Sequence, residues 1–254
     1  MPTLFVAGHS DSGGRYLVDE AQSWTSCTRA WLEQATDEPW VLHMQKFAAM
    51  GPAAADYLLG AVDRVQPDIV ILPLGAYVCT VGVVSESVRV RFGERAHRLY
   101  LRTETEFQAK TSEGQVRRVA NRAARRTVRT VLGTRTLATL QGTGDIYEEI
   151  LHGLARVESL QVVAVADARF SEAVQAREPR LQRRFDALNA RLRPVAEQHH
   201  FAWADLEAAL REAPDRRVFH HDDGVHTTAA FHAVYFQVLQ GALAGALRQR
   251  SEGR

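Results

Sequence analysis

Five short apolar runs, separated by longer amphipathic stretches, constrain this chain more than any other feature. Thr3 to Ala7, Trp40 to Met44, Asp68 to Leu74, Leu160 to Ala166 and Phe201 to Leu206 are each of strand length. Ser23 to Ala35, Ala53 to Val65, Asp145 to Val157 and Leu181 to Gln198 carry helical spacing between them, and Thr227 to Arg248 closes the chain as a last helix. Alternation of this kind predicts an α/β fold in which helices cover both faces of a parallel sheet. The 254 residues, 46% of them hydrophobic, supply enough material for one such core. In open α/β sheets the functional groups lie beyond the carboxyl ends of the strands, so the loops there are the ones to read for chemistry.

Two of those loops stand out, at opposite ends of the sequence. Gly8-His9-Ser10-Asp11-Ser12-Gly13-Gly14 follows the first apolar run, and Asp223-Gly224-Val225-His226 precedes the closing helix. Together they supply a serine, a histidine and a carboxylate. A serine hydroxyl is a weak nucleophile near neutral pH, so acyl transfer needs a base within hydrogen-bond reach and a third group to orient that base. Asp223 and His226 are three residues apart, close enough for one loop to hold the carboxylate against the imidazole. Two bland alternatives stand beside this one. Ser10 could be a turn hydroxyl that only caps the next helix, and Ser12, which follows Asp11 whereas Ser10 follows His9, competes with it for the nucleophile's place. The run His220-His221-Asp222-Asp223-Gly224-Val225-His226 also offers three imidazoles and two carboxylates to a metal, although its spacing matches no ligand motif.

At these residues the sequence resembles the SGNH (GDSL) hydrolase family. Gly8, Ser10, Ser12 and Gly14 fall on the family's first block, with His9 where an aspartate is usual, and Asp223 and His226 fall on its last, Asp-x-x-His. Ala49-Met50-Gly51-Pro52 looks like the block whose glycine N–H joins the oxyanion hole. Gly75-Ala76-Tyr77-Val78 sits where the family has Gly-x-Asn-Asp, so Tyr77 takes the asparagine's place. The resemblance implies a three-layer, flavodoxin-like fold with a five-stranded parallel sheet. It also implies a serine esterase or lipase-like hydrolase acting through an acyl-enzyme on Ser10, with no metal or organic cofactor. Gly51, Gly75 and Tyr77 become the expected oxyanion and substrate-binding positions. An acyltransferase using the same triad, and a binding protein that has lost turnover through the change at Tyr77, are the alternatives.

Charge is unevenly spread. The chain as a whole carries 31 basic and 30 acidic residues, yet the segment from Ser85 to Thr136 alone is +8, which leaves the remainder at −7. This segment interrupts the strand–helix rhythm and is expected to form an inserted basic cap on a single domain. Within it Val88 to Phe92 and Leu99 to Arg102 alternate with period two around Gly93-Glu94-Arg95, which predicts a hairpin. From Gln115 to Leu132 an apolar stripe runs beside Arg118, Arg122, Arg125 and Arg129. A one-signed field of this kind predicts a negatively charged partner, either an acidic carrier protein or an anionic surface, in addition to a small ester or acyl substrate. No recognition motif accompanies the charge, so nucleic acid is not expected.

No apolar run is long enough to span a bilayer, and Met1-Pro2 leads directly into the first strand without the features of a secretory leader, which predicts a cytoplasmic protein. Cys27 and Cys79 are too few for a disulfide framework and lack metal-ligand spacing.

Overall fold

The computed structural model describes residues 1–254 apart from 9–11, 15, 16, 76, 81, 111–130, 132, 167–170, 178, 214, 222–225, 253 and 254. The chain divides into two units, one made of Met1–Ala76 with Leu140–Arg254 and the other of Tyr77–Thr139.

The first unit is built on β1 (Thr3–Gly8), β2 (Val41–Lys46), β3 (Ile69–Leu74) and two later strands, Gln161–Ala166 and Ala202–Asp205. Each lies within two residues of its expected position. All neighbours are parallel, in the order second, first, third, fourth, fifth. That is the flavodoxin-like arrangement, in which the chain steps from β1 to one side and then returns to the other. β3 is buried along its whole length, and β1 and the Gln161–Ala166 strand are buried except at their first residues. Strands covered on both faces read as continuous apolar runs for this reason.

Side chains alternate across a strand, and the two faces therefore find different helices. Leu4, Val6, Ile69, Ile71, Val163 and Val165 pack with α1 (Trp24–Thr36) and the closing helix Ala229–Glu252, where Trp24 stacks on Tyr235 at 4.4 Å between ring centroids. α2 (Ala54–Val65) and the helices Leu140–Leu154 and Pro179–Gln198 pack together and cover the opposite face. Arg191 joins the last two. Its guanidinium donates two 2.8 Å bonds to the Glu148 carboxylate, one of 2.5 Å to Asp145 and one of 3.0 Å to the Gln141 carbonyl. These bonds, with Glu148 first and Asp145 second, hold the arginine proton more tightly than usual.

The sheet opens where the site is expected. β1 pairs with β2 as far as Gly8 opposite Lys46, but its pairing with β3 ends at Val6 opposite Ile71. Pro73, which has no N–H to give a ladder, lies beyond that point. The two strands thus part at their carboxyl ends, at the point where the strand order reverses. Crevices at such points are where open α/β sheets bind ligands.

The second unit corrects the expected hairpin. Val84–Lys110 is helical, broken at Gly93, whose φ of 83° and ψ of 177° are not helical. We call it α4, after the short α3 (Tyr77–Thr80). Period-two alternation misled because the same residues satisfy helical spacing: Glu86 and Arg89 pair at i, i+3 with N–O distances of 2.6 and 2.8 Å. The Arg89 bond, and after it that guanidinium's charge, hold the Glu86 carboxyl below its ordinary range despite burial. Arg, Leu, Glu and Ala in the stretch are also strong helix formers. Among the described residues of this unit, antiparallel pairing is instead between Gly82–Val83 and Arg135–Thr136. α4 exposes Phe92 and Leu99 beside Arg91, Arg95 and Arg98. Arg118, Arg122, Arg125 and Arg129, with the stripe expected from 115 to 132, lie outside the described residues except at Val131. Among the described residues, no helix is long and apolar enough to cross a membrane.

Candidate active site

Gly8 ends β1, and its carbonyl accepts the Phe47 N–H at 2.9 Å, fixing the start of the first loop against the end of β2. A Cβ built on Gly8 would lie 2.5 Å from Ser12 Oγ and 2.6 Å from Ser12 Cβ. The chain therefore doubles back within four residues, and only glycine leaves room for it. Ser12 is fully buried, and its carbonyl accepts the Thr25 hydroxyl at 2.8 Å. A serine enclosed in this way has no access to solvent. Gly14 completes the turn at a φ of +71°, with its carbonyl bonded to the Leu17 N–H. Ser10 itself lies outside the described residues.

The last loop has a closed neck. His221 N–H donates to the His226 carbonyl at 2.9 Å, Thr228 N–H donates to the Phe219 carbonyl at 3.1 Å, and His220 bridges Thr227 in antiparallel fashion. These bonds clamp the residues on either side of 222–225 together and hold His226 half-buried beside them. Asp223, like Asp222, lies outside the described residues. The neck also bears on the metal alternative. His220 is in extended backbone and its ring packs towards Phe231, whereas His221, the next residue, is exposed. Successive side chains of extended backbone point to opposite sides. Among the described residues no three His, Cys, Asp or Glu side chains form a metal-binding group.

The remaining candidates differ in their surroundings. Gly51 follows β2, at a φ of +83°, and its carbonyl accepts the Ala54 N–H at the start of α2. A Cβ built there would meet nothing within 4 Å, so its backbone conformation, rather than crowding, calls for glycine. Gly75 follows β3, and its carbonyl and that of Pro73 both lie 3.3 Å from the Tyr147 hydroxyl, which donates to them. Tyr77 is about half exposed and begins the second unit, at the first residue of α3.

Sequence reasoning missed one residue of this region. His232, on the closing helix and 2% exposed, accepts the Trp24 N–H on Nδ1 at 3.2 Å, and its Nε2 lies 3.3 Å from the Thr227 hydroxyl. No local signal marks it, because a single histidine on the apolar side of a helix reads the same whether it is buried filler or a strut.

No protein-family model matches the sequence, and neither does any curated protein. Solved structures do match in fold. The lipase/acylhydrolase from Enterococcus faecalis superposes with a TM-score of 0.54 at 13% identity, over 94% of this chain and 93% of that one. The extracellular lipase from Streptomyces rimosus gives 0.52 at 15%, over 95% and 100%. A mutant of Axe2, an acetyl-xylooligosaccharide esterase from Geobacillus, gives 0.54 at 11%, over 95% and 93%. These are SGNH (GDSL)-type hydrolases, and this chain has their fold.

Proposed function

We propose that this protein hydrolyses carboxylic esters through an acyl-enzyme on Ser10, with His226 as the base and Asp223 as the group that orients it. One observation carries the proposal. Hydrogen bonds from Thr227 through His232 to Trp24, and from Thr25 to Ser12, link the residue after His226 to the turn that contains Ser10. The two sequence ends that supply the triad therefore share one buried polar network. The esterase and lipase descriptions of the structural neighbours, and the burial of Ser12, support the same conclusion.

In this mechanism the Ser10 hydroxyl attacks the ester carbonyl as His226 takes its proton, and Asp223 stabilises the imidazolium. The backbone N–H groups of Ser10 and Gly51 receive the negative charge that develops on the carbonyl oxygen, and Gly75 lines the approach. Collapse expels the alcohol, which leaves with the proton held by His226. Water then attacks the acyl-enzyme as His226 takes its proton, and collapse breaks the bond to the Ser10 oxygen, which receives that proton from His226 as the acid leaves.

Partitioning tests the acyl-enzyme. Two esters sharing an acyl group but differing in leaving alcohol should give, with added methanol, the same ratio of methyl ester to free acid, and a chelator should leave the rate unchanged. A ratio that follows the leaving group would mean that no common intermediate forms. An acceptor that outcompetes water at low concentration would point to the acyltransferase alternative.

The basic insertion is assigned here to an anionic partner or substrate surface, on the strength of the exposed Arg91, Arg95 and Arg98 of α4 beside Phe92 and Leu99. Reversing those charges, or those of Arg118, Arg122, Arg125 and Arg129, should weaken turnover of ester dispersed in anionic lipid and leave a small neutral ester unaffected. Raising salt to physiological strength, where the Debye length is about 8 Å, should act in the same direction. Equal turnover of both substrates by wild type and variants at every salt concentration would assign the arginines to solvation alone.

A further inference from the structure

We infer that His232 is a positioning residue, a buried strut that holds the loop presenting His226 in register with the turn carrying Ser10. The inference rests on the triad proposed above and adds a residue to it.

The hydrogen bonds fix the direction of the strut. Trp24 is the first residue of α1, where backbone N–H groups have no partner within the helix. Its N–H is met at 3.2 Å by Nδ1 of His232, 208 positions away in sequence. A nitrogen that accepts carries no proton, so the neutral ring bears its proton on Nε2, which donates to the Thr227 hydroxyl at 3.3 Å. Thr227 is covalently next to His226 and takes part in the bridge that closes the loop's neck. On the other side, Thr25 follows Trp24 and donates to the Ser12 carbonyl at 2.8 Å, while the Ser23 hydroxyl lies 3.1 Å from that of Thr25. His232 is 2% exposed, Ser12 and Thr25 no more than 1% and Thr227 6%, so water does not compete for these bonds. A phenylalanine would fill the same space. What imidazole adds is one acceptor and one donor on opposite sides of a rigid ring, matched to an orphan N–H and a hydroxyl. Geometry of this kind matters because a misplacement of about 1 Å between catalytic groups can cost about 10²-fold in rate.

The test uses His232→Phe, which keeps the ring volume and removes both nitrogens, and Thr227→Val, which removes only one end. Each should lower kcat for a small ester by about 10- to 100-fold, with KM changed by less than about 3-fold. Phosphonate labelling of the serine should slow by the same factor as kcat. The double variant should be no slower than His232→Phe alone, because both changes break the same strut. Leu243→Ala, a core change further along the same helix, serves as the control for lost stability and should keep its kcat while folded. Amide exchange supplies a readout independent of activity: in His232→Phe the Trp24 amide and the His221 amide in the neck should both exchange faster.

Full kcat in folded His232→Phe, multiplying losses in the double variant, or faster exchange at Trp24 with the neck unchanged would each overturn the inference. Failure of the underlying triad looks different. Wild type would then neither turn over esters nor take up phosphonate, and the paired change in amide exchange would still decide whether His232 joins the two loops.

Discussion

Replacing Ser10 with alanine is expected to lower kcat/KM for a small ester by at least about 10⁴-fold, and His226→Ala by a comparable factor. The double variant should be little slower than either single one, because a nucleophile without its base and a base without its nucleophile are equally idle. Steady-state kinetics on the three proteins, each checked for native circular dichroism, measure this. Losses that multiply would assign separate roles to the two residues and dissolve the triad. The expectation draws on the clamped neck that holds His226 and on the polar network that reaches the Ser10 turn.

The second large effect is structural and begins at Gly8. Gly8→Ala places a methyl group 2.5 Å from Ser12 Oγ and 2.6 Å from its Cβ, so rotating the hydroxyl away does not relieve the overlap. Either β1 or the turn must move, at a cost of about 1–3 kcal/mol typical of overpacked sites. The turn that gives way carries Ser10, so kcat should fall by about 10²-fold as well. Removing the obstruction should reverse much of this: Gly8→Ala/Ser12→Gly is expected to be more stable than Gly8→Ala and to recover part of its activity. Urea denaturation and kcat on the two variants and on Ser12→Gly give the comparison. A Gly8→Ala protein as stable and active as wild type would mean that the chain does not double back there.

Much of the core was legible because its strands are covered on both faces. Ile69 to Leu74 could be placed from apolar content alone, and the structure moves no expected strand end by more than two residues. Local signals failed where tertiary contacts decide. The helix expected from Asp145 begins at Leu140: glycine is a poor helix former, yet burial of Thr143 and Gly144 and the Arg191 bond to the Gln141 carbonyl favour the helix through Gly142 and Gly144. The hairpin expected around Gly93 became a broken helix for a related reason: alternation over five residues does not tell the two apart, and the Glu86–Arg89 pair favours the helix. At the site, glycine positions were readable because turns and close approaches demand them. His232 was not, since its two partners are 208 and 5 positions away and only the fold brings them to one ring.

The most direct measurement is the place of covalent modification. Wild-type protein treated with an alkyl phosphonate, digested with trypsin and fragmented in the mass spectrometer yields Met1–Arg15, which contains both Ser10 and Ser12. The expected result is a single adduct whose fragment ions place it on Ser10, formed in step with loss of esterase activity and absent from Ser10→Ala. An adduct on Ser12, or a fully active enzyme that takes up no phosphonate, would contradict catalysis by Ser10.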